Sequence, residues 1–239
     1  MENIEKICDS VVYWIRDRVI QSGGKGVVFG LSGGIDSAVM AGLAKKAFPD
    51  NNLGIIMPCH SHPIDEEHGL LVANALGLDT IKVDLTETYD VFMKNVNSKK
   101  ENRLAEANVK PRLRMTTLYY FAQLNGYLVA GPSNKSELTV GYFTKYGDSG
   151  VDMLPLGSFV KSEIVELAKF LNIPEIIITK PPTAGLWENQ TDENEMGFTY
   201  EVLDRYIKNG EGNKDITEKI EKMNSNSEHK RKYPPIFTY

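Results

Sequence analysis

The chain predicts an α/β fold, a doubly wound parallel sheet with helices on both faces. Three observations lead there. Short apolar runs alternate with segments of helical periodicity. The clearest strand candidate runs through a glycine turn directly into a helix start. The length, 239 residues with 41% hydrophobic and 25% charged, suits one large α/β domain of ordinary soluble composition.

Ile4, Ile7, Val11, Val12, Trp14 and Ile15 recur at helical spacing, so residues 4–20 read as an amphipathic helix, stopped by the glycines at 23, 24 and 26. Residues 27–31 read as the first strand, and the helix behind it as running to about Phe48. After a turn at 49–52, residues 53–57 read as a buried strand. Residues 65–76 read as a helix that Gly77 ends. Residues 80–85 read as a third strand. A long helical stretch follows, interrupted near Pro111 and closed at Gly126. Residues 127–130 read as a fourth strand with another small-residue turn. Residues 189–194 and 209–214 are poor in apolar side chains and read as loops. In such parallel sheets ligands bind beyond the carboxyl ends of the strands. The turns after strands one, two and four therefore share the functional edge.

Bulk properties exclude several classes. The net charge of −5 argues against a general nucleic-acid binder. No apolar run is long enough to span a bilayer. The polar, acidic start does not read as a secretory signal. Cys8 and Cys59 show no metal-ligand spacing and need no disulfide. A cytoplasmic setting is the expectation, with no nucleic acid and no membrane as partner.

The most informative string is Gly30, Leu31, Ser32, Gly33, Gly34, Ile35, Asp36 and Ser37 at the first strand-to-helix turn. Ser and Gly carry little bulk, so bare amides can face an anion. The new helix adds unpaired N–H groups and the positive end of its dipole. Pyrophosphate fits there. Asp36 would repel a naked phosphate, which suggests a metal ion between the two. The string is not a Walker A loop, because the residue before Ser37 is acidic rather than lysine.

That string resembles the SGGxDS loop of the ATP pyrophosphatases. Farther on stand Asn134-Lys135-Ser136-Glu137, Gly141-Tyr142-Phe143-Thr144-Lys145-Tyr146-Gly147-Asp148 and Ala184-Gly185-Leu186-Trp187-Glu188-Asn189-Gln190-Thr191-Asp192-Glu193. With these the chain resembles the ammonia-dependent NAD synthetases from Gly30 through Lys230. The resemblance implies a Rossmann-like, adenine nucleotide α-hydrolase-like fold over residues 1–239 as a single domain. It implies that ATP is a co-substrate, Mg2+ the cofactor, and deamido-NAD and ammonia the other substrates. The nicotinate carboxylate would be adenylated, pyrophosphate released, and ammonia would then displace AMP.

Roles implied by the resemblance follow residue by residue. The loop residues 30–37 named above, with Lys161 and Thr183, would hold ATP. Asp36 and Glu137 would bind the metal. Arg112, Lys145, Asp152, His229 and Lys230 would contact deamido-NAD. Asp36, Asp148 and Lys161 would be catalytic, with Asp148 receiving ammonium. Two departures from the family pattern stand out. Pro132 replaces a threonine that contacts ATP, leaving Ser133 as a substitute, and Pro111 replaces an alanine. Other ligases of the superfamily, a nucleotide-binding protein without turnover, and a subunit fed by a separate glutaminase are the alternatives. The chain leaves no room for an amide-hydrolysing domain of ~250 residues, so free ammonia is the expected nitrogen source. A homodimer is expected, with the first helix and residues 118–121 as apolar surface. Residues 83–102 and 180–196 are expected to be loops that close over substrate.

Overall fold

In the computed structural model, which describes residues 3–183, 185 and 191–239, helices and strands alternate. In chain order they are α1 (Ile4–Gln21), β1 (Gly26–Gly30), α2 (Ile35–Ala47), β2 (Asn52–Ile56), α3 (Pro63–Leu76), β3 (Thr80–Lys82), α4 (Thr86–Val96), α5 (Arg103–Ala107), α6 (Val109–Asn125) and β4 (Tyr127–Val129). The remainder is helical: α7 (Lys135–Val140), α8 (Lys161–Phe170), α9 (Glu175–Ile178), α10 (Asp192–Met196), α11 (Tyr200–Asn209), α12 (Lys214–Asn226) and α13 (Glu228–Arg231).

The four strands are all parallel, in the order β3-β2-β1-β4. The order reverses between β1 and β4, so the crevice beyond their carboxyl ends is the topological switch point. The side-chain period of a strand explains the two layers. Val27, Phe29 and Leu31 pack into one cluster with Ile15 of α1, Met40 and Leu43 of α2, and Leu167 of α8. Val28 points the other way, to Ile55, Val129 and to Leu118 and Ala122 of α6. A third cluster, Val140, Met196, Leu203 and Ile220, joins α7, α10, α11 and α12 beside the sheet's functional edge. The expected doubly wound architecture is present.

Several boundaries differ from the sequence reading. The third strand stops at Lys82 rather than 85. The long helical stretch is three helices. It breaks after α4 at Asn97, which adopts a left-handed backbone (φ 41°), and again at Asn108 between α5 and α6. Pro111 lies in the first turn of α6, where its missing N–H has no helical acceptor to lose. Residues 83–102 are therefore not a loop throughout, since α4 occupies most of them. Residues 192–196, expected as loop, form α10 behind the Thr191 cap. The loop between α11 and α12 is present as expected. Leu118, expected at the surface, is buried.

Candidate active site

The glycine loop leaves β1 and enters α2 at the switch point. Gly33 has φ +74° and lies so close to the Asp65 carbonyl that a Cβ would come within 2.4 Å of it. Only glycine meets both demands. Gly34 caps α2 without a side-chain hydrogen bond, leaving the first amides of that helix facing outward. The hydroxyls arrange the loop. Ser32 N–H donates to Ser37 Oγ (3.2 Å), Gly34 N–H to Ser32 Oγ (3.3 Å), and Ser37 O–H to the Gly34 carbonyl (2.9 Å). Leu31 and Ile35 anchor the loop in the core beneath. Lys180 Nζ donates to Asp65 (2.7 Å) and reaches the Gly33 carbonyl (3.5 Å), tying the 180s segment to the loop.

Beside the loop, two carboxylates and a lysine meet. Lys161 Nζ lies 2.5 Å from Asp36 Oδ2 and 3.8 Å from Glu137 Oε1. Asp36 stands in the first turn of α2, Glu137 in that of α7 and Lys161 in that of α8, so three helix N-termini converge. Asn134 and Glu137 form a capping box, and the Asn134 amide also donates to Asp36 Oδ1 (2.8 Å). Burial and the adjacent Asp36 push the Glu137 carboxyl well above the ordinary carboxylate range, against the pull of Lys161. Burial alone would lower the Lys161 ammonium; Asp36 and Glu137 more than offset it, and the lysine stays charged. Asp192 is 4% exposed and its carboxyl is raised by burial. It accepts from Tyr200 O–H (2.9 Å), whose ring lies 5.0 Å from Lys161 Nζ.

The raised Glu137 carboxyl has a stability consequence. A carboxyl held above its unfolded value favours the fold at low pH and loses that contribution as pH rises through the folded value. Glu137→Gln is therefore expected to raise the melting temperature of the ligand-free protein at pH 8, on the order of 2–4 °C for a chain this long. The gain should shrink towards pH 4. A melting point unchanged or lowered at pH 8 counts against the clash with Asp36.

The far end of the same cavity holds the acyl-transfer candidates. The cavity measures about 960 Å3 and includes Ser32, Asp36, Ser37, Glu137, Asp148, Lys161, Thr183 and His229 in its walls. Asp148 keeps contact with cavity solvent, yet protein packed around it pushes its carboxyl up; the Thr144 N–H bonded to it (2.8 Å) opposes the push. Arg112 Nε and Nη2 donate to the Lys145 carbonyl (both 3.3 Å). Lys230 Nζ donates to the carbonyls of Gly141 (2.8 Å) and Phe143 (2.9 Å), so it braces the loop carrying Lys145 and Asp148. Burial lowers its ammonium. Ser133, buried, and Pro132 both line the cavity where the family threonine is absent.

Most of the expected residues are thus brought together. Gly33 is not in the cavity wall, its backbone packing against the Asp65 carbonyl, and one residue stands apart from the site. Asp152 is outside the cavity wall. It accepts the Val129 N–H (2.7 Å) and the Tyr119 O–H (3.0 Å), fixing the end of β4 to α6. Within this chain its carboxylate is spent on structure. Ala184, Leu186, Trp187, Glu188, Asn189 and Gln190 of the quoted motif are outside the described residues. The sequence reading missed four polar contributors. Asn134 was readable from its capping-box spacing to Glu137. Asp192 stood inside a quoted string without a role, and Arg114 two residues beyond Arg112 drew none. Asp204 carried no local signal: it accepts from Ser136 O–H (2.6 Å), Ser162 N–H (2.7 Å) and Lys161 N–H (3.3 Å), fastening α7 and α8 together from α11.

Known proteins match this arrangement over nearly the whole chain. The NAD synthase family model matches residues 7–234. An NH(3)-dependent NAD(+) synthetase of Finegoldia magna is 52% identical, covering 99% of this chain and 98% of that protein. One from Carboxydothermus hydrogenoformans is 50% identical, covering 98% of both. Among solved structures, an NMN synthetase from Francisella tularensis superposes with a TM-score of 0.96 at 34% identity, covering both chains completely. An NH3-dependent NAD synthetase from Campylobacter jejuni superposes with a TM-score of 0.84 at 32% identity, covering 99% of this chain and 100% of that one. By sequence and by fold, the chain belongs to the NAD synthase family.

Proposed function

We infer that this enzyme amidates the nicotinate carboxylate of deamido-NAD with ammonia, using ATP and releasing AMP and pyrophosphate. The observation that carries the reading is the meeting of Asp36, Lys161 and Glu137 beside an amide-lined loop, in one cavity with Asp148. A carboxylate is a poor electrophile. Its oxygen attacks the α-phosphorus of ATP, the bond to the β-phosphate breaks, and a mixed anhydride with AMP forms. Ammonia then attacks the acyl carbon, the bond to AMP breaks, and one proton is lost. Residues 32–37 cradle the departing pyrophosphate, and Lys161 offsets charge growing on its bridging oxygen. Asp148 holds ammonium and takes its proton, since only neutral ammonia is a nucleophile. Arg112, Lys145, His229 and Lys230 shape the acid-substrate end, and Thr183 borders the ATP phosphates.

Mg2+ suits the first step. Among the described residues no three His, Cys, Asp or Glu side chains form a metal site unaided. Asp36 and Glu137 offer hard oxygen donors that phosphate oxygens and water would complete. Burial, and after it the clash with Asp36, hold the Glu137 carboxyl up, and a bound cation would relieve that clash. When bound, the ion supplies charge neutralisation on the departing pyrophosphate. Asn134 orients Asp36 for this role.

Asp148→Asn separates the half-reactions. Pyrophosphate release should persist within about threefold, while amide formation falls about 10²- to 10⁴-fold, the usual worth of a positioned acid or base. Equal loss of both products contradicts the assignment. The likeness to an NMN synthetase favours a second reading, in which the same chemistry acts on the mononucleotide acid. Comparing kcat/KM for the two acids decides between them.

We place the enzyme in the cytoplasm as a homodimer acting through one domain per chain. Both cysteines are free and buried, and among the described residues no helix is long and apolar enough to cross a membrane. Tyr120 and Leu124 of α6, with Val91, Phe92 and Val96 of α4, leave apolar surface exposed on adjacent helices. Sedimentation should give particles of twice 26.7 kDa; a monomer at micromolar concentration contradicts the dimer.

A further inference from the structure

Arg114 of α6 is half-buried and lines the cavity. Its Nε donates to the Met57 carbonyl (3.0 Å) and its Nη2 to Ser61 Oγ (3.1 Å), both beyond the end of β2. Among the described residues no carboxylate pairs with it, and Asp148 and Asp65 act on it only from a distance. A guanidinium carries five N–H donors in a rigid fork, so most of them remain for another partner. Enclosing such a cation without a paired anion is costly. The open space against it is the cavity itself.

We infer that Arg114 binds a reacting oxyanion, either the α-phosphate of the adenine nucleotide or the carboxylate of the acid nucleotide. The inference rests on the amidation reading for its two candidate ligands. The position supports it. Arg114 stands one strand over from the phosphate loop, on the side of the cavity that also holds Asp148. The pyrophosphate end already has Lys161 and Lys180. Of the arginines lining the cavity among the described residues, Arg103 and Arg112 are exposed and Arg114 alone is half-buried. The fork suits a two-oxygen ligand, and the Met57 and Ser61 contacts hold its plane fixed. Arg112, two residues earlier on the same helix, is exposed and spends its donors on the Lys145 carbonyl. Burial disfavours the charge of Arg114, and an anion placed against it would offset that cost.

Calorimetric titration of the full-length protein tests this with two ligand pairs, AMP against adenosine and deamido-NAD against NAD. Each pair differs by the anion in question. The wild type should prefer the anionic member of at least one pair by about tenfold or more, the usual worth of a charge-assisted bond. Arg114→Met should erase that preference while leaving adenosine and NAD affinities unchanged. Arg114→Lys should restore part of it. The AMP pair identifies the phosphate as the ligand, and the deamido-NAD pair the carboxylate. If Arg114→Met does not fold, Ser61→Ala gives the reading: it frees one arm of the fork and should weaken the same preference. A wild type with no preference in either pair overturns the proposal, as does a preference that survives in Arg114→Met, or in Ser61→Ala where that variant gives the reading. Wild-type failure to convert acid to amide with ATP refutes the amidation reading instead, and leaves these binding differences standing.

Discussion

Asp36→Asn is expected to cut pyrophosphate release from ATP and deamido-NAD by at least about a hundredfold, the loss typical of one preorganised charge partner. Asp36 has two buried partners that both donate, Lys161 Nζ on Oδ2 and Asn134 Nδ2 on Oδ1. An asparagine offers one acceptor oxygen and one NH2 group. Whichever way it turns, a donor faces a donor. Lys161 then keeps only Glu137, at 3.8 Å, and the loop loses the carboxylate proposed to carry the metal. Because adenylation comes first, amide production should fall in parallel. Retention of pyrophosphate release within tenfold of wild type would show that Asp36 serves only to fasten α7 and α8 to α2 through Asn134 and Lys161.

Lys161→Met should be comparably severe for turnover, about 10²- to 10³-fold, and it should also mark stability. The lysine is the only cation within salt-bridge distance of both carboxylates among the described residues, and its side chain is 9% exposed. Removing one partner of a buried pair costs about 3–5 kcal/mol. Asp36 and Glu137 would then repel without compensation. The sign of the pH dependence follows. Glu137 is already held above its unfolded value, and losing Lys161 removes the main influence that lowers it. The variant's deficit should therefore grow as pH rises above the ordinary carboxylate range and shrink as Glu137 becomes protonated. Thermal melts at pH 5 and pH 8 read this directly. A deficit larger at pH 5 contradicts the arrangement.

Much of this site was legible before any coordinates. The glycine loop announced both its strand-to-helix turn and its anion-binding amides, because the chemistry lies in local backbone geometry. The order of helices and strands was legible for the same reason, since period and punctuation are local. What stayed hidden depends on distance in the chain. Lys161 taken alone reads as a surface lysine; only the resemblance gave it a role before α8 is packed against α2 and α7. Asp204 lies 68 residues beyond the Ser136 hydroxyl it holds, and nothing near it signals the contact. Arg114 sits in a basic run that resembles an exposed helix face, and only the packing of α6 on β1 and β4 turns it inward. Asp152 runs the other way: the resemblance implied a ligand contact, and in this chain its carboxylate closes the end of β4. Pro111 and Pro132 looked alike as departures, and both line the cavity; Pro111 costs its helix nothing in an opening turn, whereas Pro132 removes a backbone N–H and a hydroxyl from the wall.

The central claim is that the acid is activated as an adenylate. Incubating the enzyme with Mg2+, ATP, ammonium and deamido-NAD carrying 18O in its nicotinate carboxylate tests it most directly. The account predicts one labelled oxygen in the phosphate of AMP and none in pyrophosphate. Label in inorganic phosphate with ADP as co-product, or AMP free of label, would contradict it.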